Sequence, residues 1–307
     1  MKRLAAAAQQ YLTVRRALGF KLRHETWWLP DFVSFLDAHG SSVITTELAL
    51  KWARQPAGAT PGWWADRLSA VRQFARHHRA FDTRTQVPPA DLIPYRRPRR
   101  TPHLYTSDEI VALMQAASEL SHPLRAASYP TMLGLLAATG MRVSEALALD
   151  RHDVDWEHEL LTVRNSKFGK SRYVPLHPTA LAALRDYARR RDRLRPHRQS
   201  AAFFLSSTGA RVLHQNFQHI FLRLLARTGL DRGRNRRPRI HDFRHSFAMK
   251  TVRDWYCAGI DVERRLPWLS TYLGHVSPST TYWYLTATPE LLTAAAERAE
   301  RAWKVRP

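Results

Sequence analysis

Between Arg84 and Pro102 the chain carries Pro88, Pro89, Pro94, Pro98 and Pro102 around a basic cluster of Arg96, Arg97, Arg99 and Arg100. Each proline fixes φ and removes a backbone donor, so neither a helix nor a central strand can run through this stretch. It reads as an extended, stiff connector, and it cuts the 307 residues into two pieces of ordinary domain size. The expected division is a helical domain over residues 1–95, a basic proline-rich linker over 96–105 and a larger domain over 106–307.

Before the break, residues 4 to about 83 read as helices. Tyr11, Leu12, Leu18, Trp28, Phe32, Phe35, Leu36, Leu48, Trp52, Trp64, Leu68, Val71 and Ala75 recur at helical spacing without strand-like alternation. Arg15, Arg16, Lys21, Arg67, Arg72, Arg76 and His78 are interspersed with them, so each helix is expected to bury one side and to offer cations on another.

After the break, Thr106 and Glu109 form a capping box that opens a helix. A helical apolar run holding Met132, Leu133, Leu135 and Leu136 follows, then the turn Thr139-Gly140 and a short helix with Arg142, Val143, Glu145 and Leu147. Residues 160–163 and 172–175 are β-runs joined by a turn around Gly169, a hairpin candidate. Helices are expected again over 178–191, 212–227, 243–257, 263–272, 279–285 and 289–303, with a basic loop over 227–239. The fold class is therefore mainly α with a small β-sheet or hairpin.

Charge narrows the partner. With 48 Lys+Arg against 26 Asp+Glu the formal net charge is +22, and an excess of that size repels itself unless a polyanion neutralises it, which makes DNA or RNA the first expectation. No apolar run approaches the length of a bilayer span, and the residues after Met1 lack a continuous signal-peptide core. A cytoplasmic protein is expected, associated with the nucleoid. The single cysteine, Cys257, excludes an internal disulfide or a cysteine-rich zinc site and reads as a small buried hydrophobe.

Among the 15 histidines, His241 and His245 stand at i and i+4, a spacing that zinc ligands use. Arg244 lies between them, however, and a cation is wrong beside a divalent metal. No metal is expected, and no phosphate-binding glycine loop is present to suggest ATP. A phosphodiester suits these residues better, because a guanidinium offers a planar fork of donors to the two non-bridging oxygens as they gain charge.

Arg142 within Gly140–Glu145, a lysine in the hairpin turn, the run His241-Asp242-Phe243-Arg244-His245, the triplet Leu273-Gly274-His275 and then Tyr284 follow one another in this order. In that order they resemble the tyrosine recombinase, or phage integrase, family, in its mobile-element-borne form, over about 106–303. The resemblance implies that Arg142 and Arg244 clamp the scissile phosphate, that Lys167, His241 and His275 complete the catalytic set, and that Tyr284 is the nucleophile. Tyr282 is a rival two residues earlier, on the opposite side of a helix, but the family places the nucleophile nine residues after the second histidine, which is Tyr284. Lys170 shares the turn with Lys167 and is expected, with Arg96, Arg97, Arg99 and Arg100, to contact DNA.

Glu145 at i+3 is expected to hold Arg142 by an ion pair, and His245 to satisfy a buried polar site. The family further implies a helical, SAM-like core-binding domain at the N-terminus, an α+β catalytic domain, no cofactor and double-stranded DNA recombination sites. It also implies a homotetramer on DNA, with or without sister recombinases, tied together by a tail helix from about residue 288. Cleavage and rejoining through a 3′-phosphotyrosine would serve integration, excision or transposition of a mobile element. A type IB topoisomerase-like enzyme and a non-catalytic DNA-binding regulator on the same fold are the alternatives.

Overall fold

In the computed structural model the described residues are 2–95, 101–164, 169, 171–196, 200–233 and 236–274. The chain divides into two compact units, Met1–Arg100 and Thr101–Pro307.

Four helices build the first unit: α1 Lys2–Ala17, α2 Glu25–Ala38, α3 Thr46–Arg54 and α4 Pro61–His78. Thr45 and Thr60 cap α3 and α4 by accepting from the Leu48 and Trp63 backbone amides, which satisfies donors that a helix start leaves open. Leu12, Leu29, Phe32, Leu36, Trp52, Leu68, Val71 and Phe74 close the core. Leu18 falls beyond the end of α1 and is exposed.

Two of the cations expected on an outer face lie inside. Arg67 stacks 3.7 Å over the Trp52 ring and donates to the Trp52 carbonyl. Arg72 donates from Nε to the Pro88 carbonyl and from Nη2 to that of Pro89, both at 2.7 Å. The reach of an arginine stem lets its head cross the core to a carbonyl that helical periodicity cannot foresee.

Arg72 also explains why the first part of the proline-rich stretch is not a free spacer. Gln86 donates from its backbone to the Ile44 carbonyl, and its side chain accepts from the Thr46 amide. Ile93 is buried in the helical core. These residues are docked on the first unit by hydrogen bonds that proline leaves possible, since a carbonyl remains an acceptor.

The second unit runs α5 Ser107–Ser118, α6 Pro123–Thr139, α7 Val143–Ala148, a 3-10 turn Arg151–Asp153, β1 Val154–Asp155, β2 Leu160–Val163, β3 Arg172–Pro175, α8 Pro178–Leu194, α9 His214–Thr228, α10 Asp242–Cys257 and α11 Val262–Leu273. The Thr106–Glu109 capping box is present at the start of α5. The strands form one antiparallel sheet in the order β1-β2-β3, with Leu161 opposite Val174 and Val163 opposite Arg172. β1 escaped the sequence pattern because two residues cannot display an alternation.

Leu133, Leu136, Leu161, Val163, Val174, Tyr187, Phe203, Phe221 and Phe243 belong to the main core of this unit. Ala248, Met249, Val252, Leu266, Leu269 and Leu273 form a second cluster between α10 and α11. Cys257, expected to be buried, is exposed at the last position of α10, where the helix has left the cluster that covers Met249 and Val252. No helix among the described residues is long and apolar enough to cross a membrane. The helices expected over 279–285 and 289–303, the tail helix included, lie outside the described residues.

Replacing Arg72 by Ala removes both carbonyl contacts and is expected to lower the unfolding free energy by about 2 kcal/mol, measurable by urea denaturation of the full chain.

Candidate active site

Gly140 ends α6 in the left-handed region, at φ +59°, a conformation that glycine adopts without steric cost. The turn that it makes delivers Arg142 to the N-cap of α7. One helical turn later, the Glu145 carboxylate returns to the Arg142 backbone amide at 2.9 Å and to its Nη1 at 2.8 Å. The expected i, i+3 ion pair is thus present.

A third residue, which sequence reasoning did not single out, completes it. From β3, Arg172 donates Nη1 and Nη2 to the two Glu145 oxygens at 3.0 and 2.7 Å, and its Nε to the Tyr272 carbonyl at 2.8 Å. The signal was available: Val174 faces the core, so the residue two before it on the strand shares that inward face. Burial alone would push the Glu145 carboxyl up, but Arg172, followed by Arg142, outweighs it and holds the group at about 2.

Arg244 lies in the first turn of α10 and is 2% exposed. Its Nη1 donates to the Gly140 carbonyl at 3.1 Å, and its Nη2 to the Leu273 carbonyl. Arg142 Nη2 reaches the Gly274 carbonyl at 2.9 Å. Three guanidiniums from β3, α10 and the α7 N-cap therefore take the carbonyls of Tyr272, Leu273 and Gly274 in succession, at the C-terminal end of α11 where the helix dipole is negative. His275 is the next residue in the chain.

His241 stands at the N-cap position of α10, and its ring lies 4.9 Å from that of His245, edge to face. Burial, then the charge of Arg244, lowers the His241 pKa. Burial, then the charge of His241, brings that of His245 down to about 4. Both shifts favour the neutral imidazole. The start of this helix is anchored by Tyr105, whose ring stacks on Phe243 at 4.3 Å, whose amide donates to Ser246 Oγ and whose hydroxyl donates to the Arg239 carbonyl.

The structure thus brings Arg142, Glu145, His241, Arg244 and His245 into one region of the second unit. Lys167, Lys170, His275, Tyr284, Arg96, Arg97, Arg99 and Arg100 lie outside the described residues. Asp150, His152 and Asp153 present three ligand atoms within 4.8 Å of one another, but Asp153 accepts from Arg164 Nε at 2.6 Å and Asp150 from Arg211, so arginines already share both carboxylates.

The phage integrase family matches residues 104–290, a span that holds the whole arrangement. The chain belongs to the phage integrase family. It is therefore a tyrosine recombinase. Its relatives include y4rB of Sinorhizobium fredii, named as an integrase/recombinase, which is 45% identical over the full length of both chains. The tyrosine recombinase XerC of Chlamydia trachomatis serovar L2 is 33% identical over 71% of this chain and 64% of its own. Among solved structures, the Tn1549 transposon integrase in complex with transposon right end DNA superposes with a TM-score of 0.66 at 18% identity, over 95% of this chain and 98% of that one. That likeness establishes the shared fold.

Gly140→Ala would force an alanine to φ +59° and set its Cβ 2.5 Å from the Phe247 ring; a loss of about 2 kcal/mol or more should appear as a lower melting temperature. A histidine whose folded pKa is depressed binds fewer protons folded than unfolded between the two values, so stability falls as pH falls from about 6.5 to about 4 and levels off below. Denaturation across that window should show a shallower slope for His245→Asn than for the parent.

Proposed function

We propose that this tyrosine recombinase breaks and rejoins double-stranded DNA at specific sites through a 3′-phosphotyrosine intermediate, for the integration, excision or transposition of a mobile element. The observation that carries the reading is the fixed pair of guanidiniums, Arg142 and Arg244, both tied to the end of α11 that leads into His275. Such preorganised donors match the charge that develops on the non-bridging oxygens of a phosphodiester under attack.

In this reading Tyr284 is the nucleophile. A phenol ionises near pH ~10 and needs its proton removed during attack; neutral His241 is suited to take it. The tyrosine oxygen bonds to phosphorus, the bond from phosphorus to the 5′ oxygen breaks, and Lys167 donates the proton that makes the leaving group a 5′-hydroxyl. Attack by a 5′-hydroxyl of a second strand, its proton passing to Lys167, then forms a new phosphodiester as the bond from phosphorus to the tyrosine oxygen breaks, and His241 returns its proton to the tyrosine. One phosphoester replaces another at each step, so the balance needs neither ATP nor a redox partner. His275 supports the phosphate beside the arginines.

Residues 1–95 act as a core-binding domain and 106–307 as the catalytic domain, joined by 96–105, with Arg96, Arg97, Arg99, Arg100 and Lys170 on the DNA backbone. Tn1549 integrase is known in complex with transposon right end DNA, XerH bound to its difH substrate and lambda integrase as a tetramer bound to a Holliday junction; a homotetramer on paired sites, alone or beside sister recombinases, is the corresponding assembly here.

Covalent capture from a randomised pool of nicked duplexes tests the reading. A denaturation-resistant adduct is expected for the parent and for Tyr282→Phe and is expected to vanish in Tyr284→Phe, while Arg244→Ala should slow its formation on the order of 10²-fold or more. An adduct that survives Tyr284→Phe would move the nucleophile elsewhere. Tight, sequence-selective binding without any adduct would make the chain a regulator on a recombinase fold.

A further inference from the structure

We propose that Arg172 is a positioning residue for Arg142, acting through Glu145; the proposal rests on the reading of Arg142 as a phosphate clamp given above. Glu145 joins the two arginines. Its side chain is 4% exposed and each of its oxygens accepts from both arginines: Oε1 from Arg142 Nη1 and Arg172 Nη1, Oε2 from the Arg142 amide and Arg172 Nη2. The carboxylate can lie in only one plane, and the fork–fork pair with Arg172 sets that plane. Arg142 then meets Glu145 through its backbone and one guanidinium nitrogen, and its other terminal nitrogen is directed to Gly274.

Arg172 is fixed independently of this contact. It sits on the inward face of β3, in register with Val163, and its Nε holds the Tyr272 carbonyl. The site leaves little room for slack, because a Cβ added at Gly274 would stand 3.2 Å from Arg172 Nη1 and 3.6 Å from Arg142 Nη1. Arg172 thus references both arms of Arg142, the carboxylate on one side and the α11 terminus on the other, to the sheet. A lysine cannot take its place, since one ammonium point charge cannot span a carboxylate and a carbonyl in fixed geometry.

The test uses the full chain and a nicked duplex obtained by the covalent capture described above, in two forms. One has the natural phosphodiester at the scissile position; the other has a methylphosphonate, which carries no charge for a clamp to balance. Arg172→Met and Arg172→Lys are each expected to form the adduct on the order of 10- to 10²-fold more slowly than the parent on the phosphodiester, with DNA affinity unchanged. On the methylphosphonate most of that loss should disappear, as it should for Arg142→Ala.

A loss of equal size on both duplexes, or a loss of affinity with an unchanged rate, would overturn the assignment. Where Arg172→Met does not fold, Arg172→Lys decides, since it keeps the cation on the strand; parental rates in a folded Arg172→Lys protein would refute the proposal. If Arg142→Ala alone is not relieved on the methylphosphonate, the clamp reading itself fails, a result distinct from a failure confined to Arg172.

Discussion

Three guanidiniums holding three consecutive carbonyls at the end of α11 form the constraint on which the second unit is organised. The interaction has an electrostatic reason on each side. Carbonyls at a helix C-terminus lack helical partners and carry the negative end of the dipole, while an arginine brought out of water must find acceptors with the geometry of its fork. Each need answers the other. Because the arginines come from the α7 N-cap, β3 and α10, the same bonds weld four segments that are far apart in sequence.

The charge balance of this cluster follows from its members. Arg142, Arg172 and Arg244 set against Glu145 give 3 − 1 = +2, and carbonyl dipoles soften but do not cancel that excess. Burial, and after it the charge of Arg244, also lowers the His241 pKa. The positive excess and the disfavoured protonation of His241 thus come from one arrangement.

Sequence reasoning located the elements that carry periodic or turn-coded information. The two hairpin strands were read to the residue, since alternation and a flanking turn both mark them, and α10 and α11 were placed within one residue at each end. The Arg142–Glu145 pair was legible because i, i+3 spacing is a local rule. What escaped is long-range. Arg172 meets Glu145 across 27 positions and Tyr272 across 100, and no local pattern encodes such partners. Cys257 was misjudged for the opposite reason: its residue type suggested burial, while its place in the last turn of α10 settled exposure.

The buried arginines also change what the net charge of +22 means. An excess of that size points to a polyanion, yet several of the cations that produce it work inside the protein. Arg72 ties the Pro88 and Pro89 carbonyls, Arg191 that of Phe203, Arg211 those of Leu147 and Leu149, and Arg244 those of Gly140 and Leu273. Arg72 and Arg191 join α4 and α8 to irregular segments, and Arg244 joins α10 to the turn at Gly140 and to the end of α11. Such a bond contributes no surface charge for DNA to neutralise. The salt dependence of DNA binding should accordingly be set mainly by the exposed cations, since each phosphate contact made releases counterions. Arginine richness in this chain thus serves two ends, a crosslinked interior and a basic exterior, and the first is what holds the second in shape.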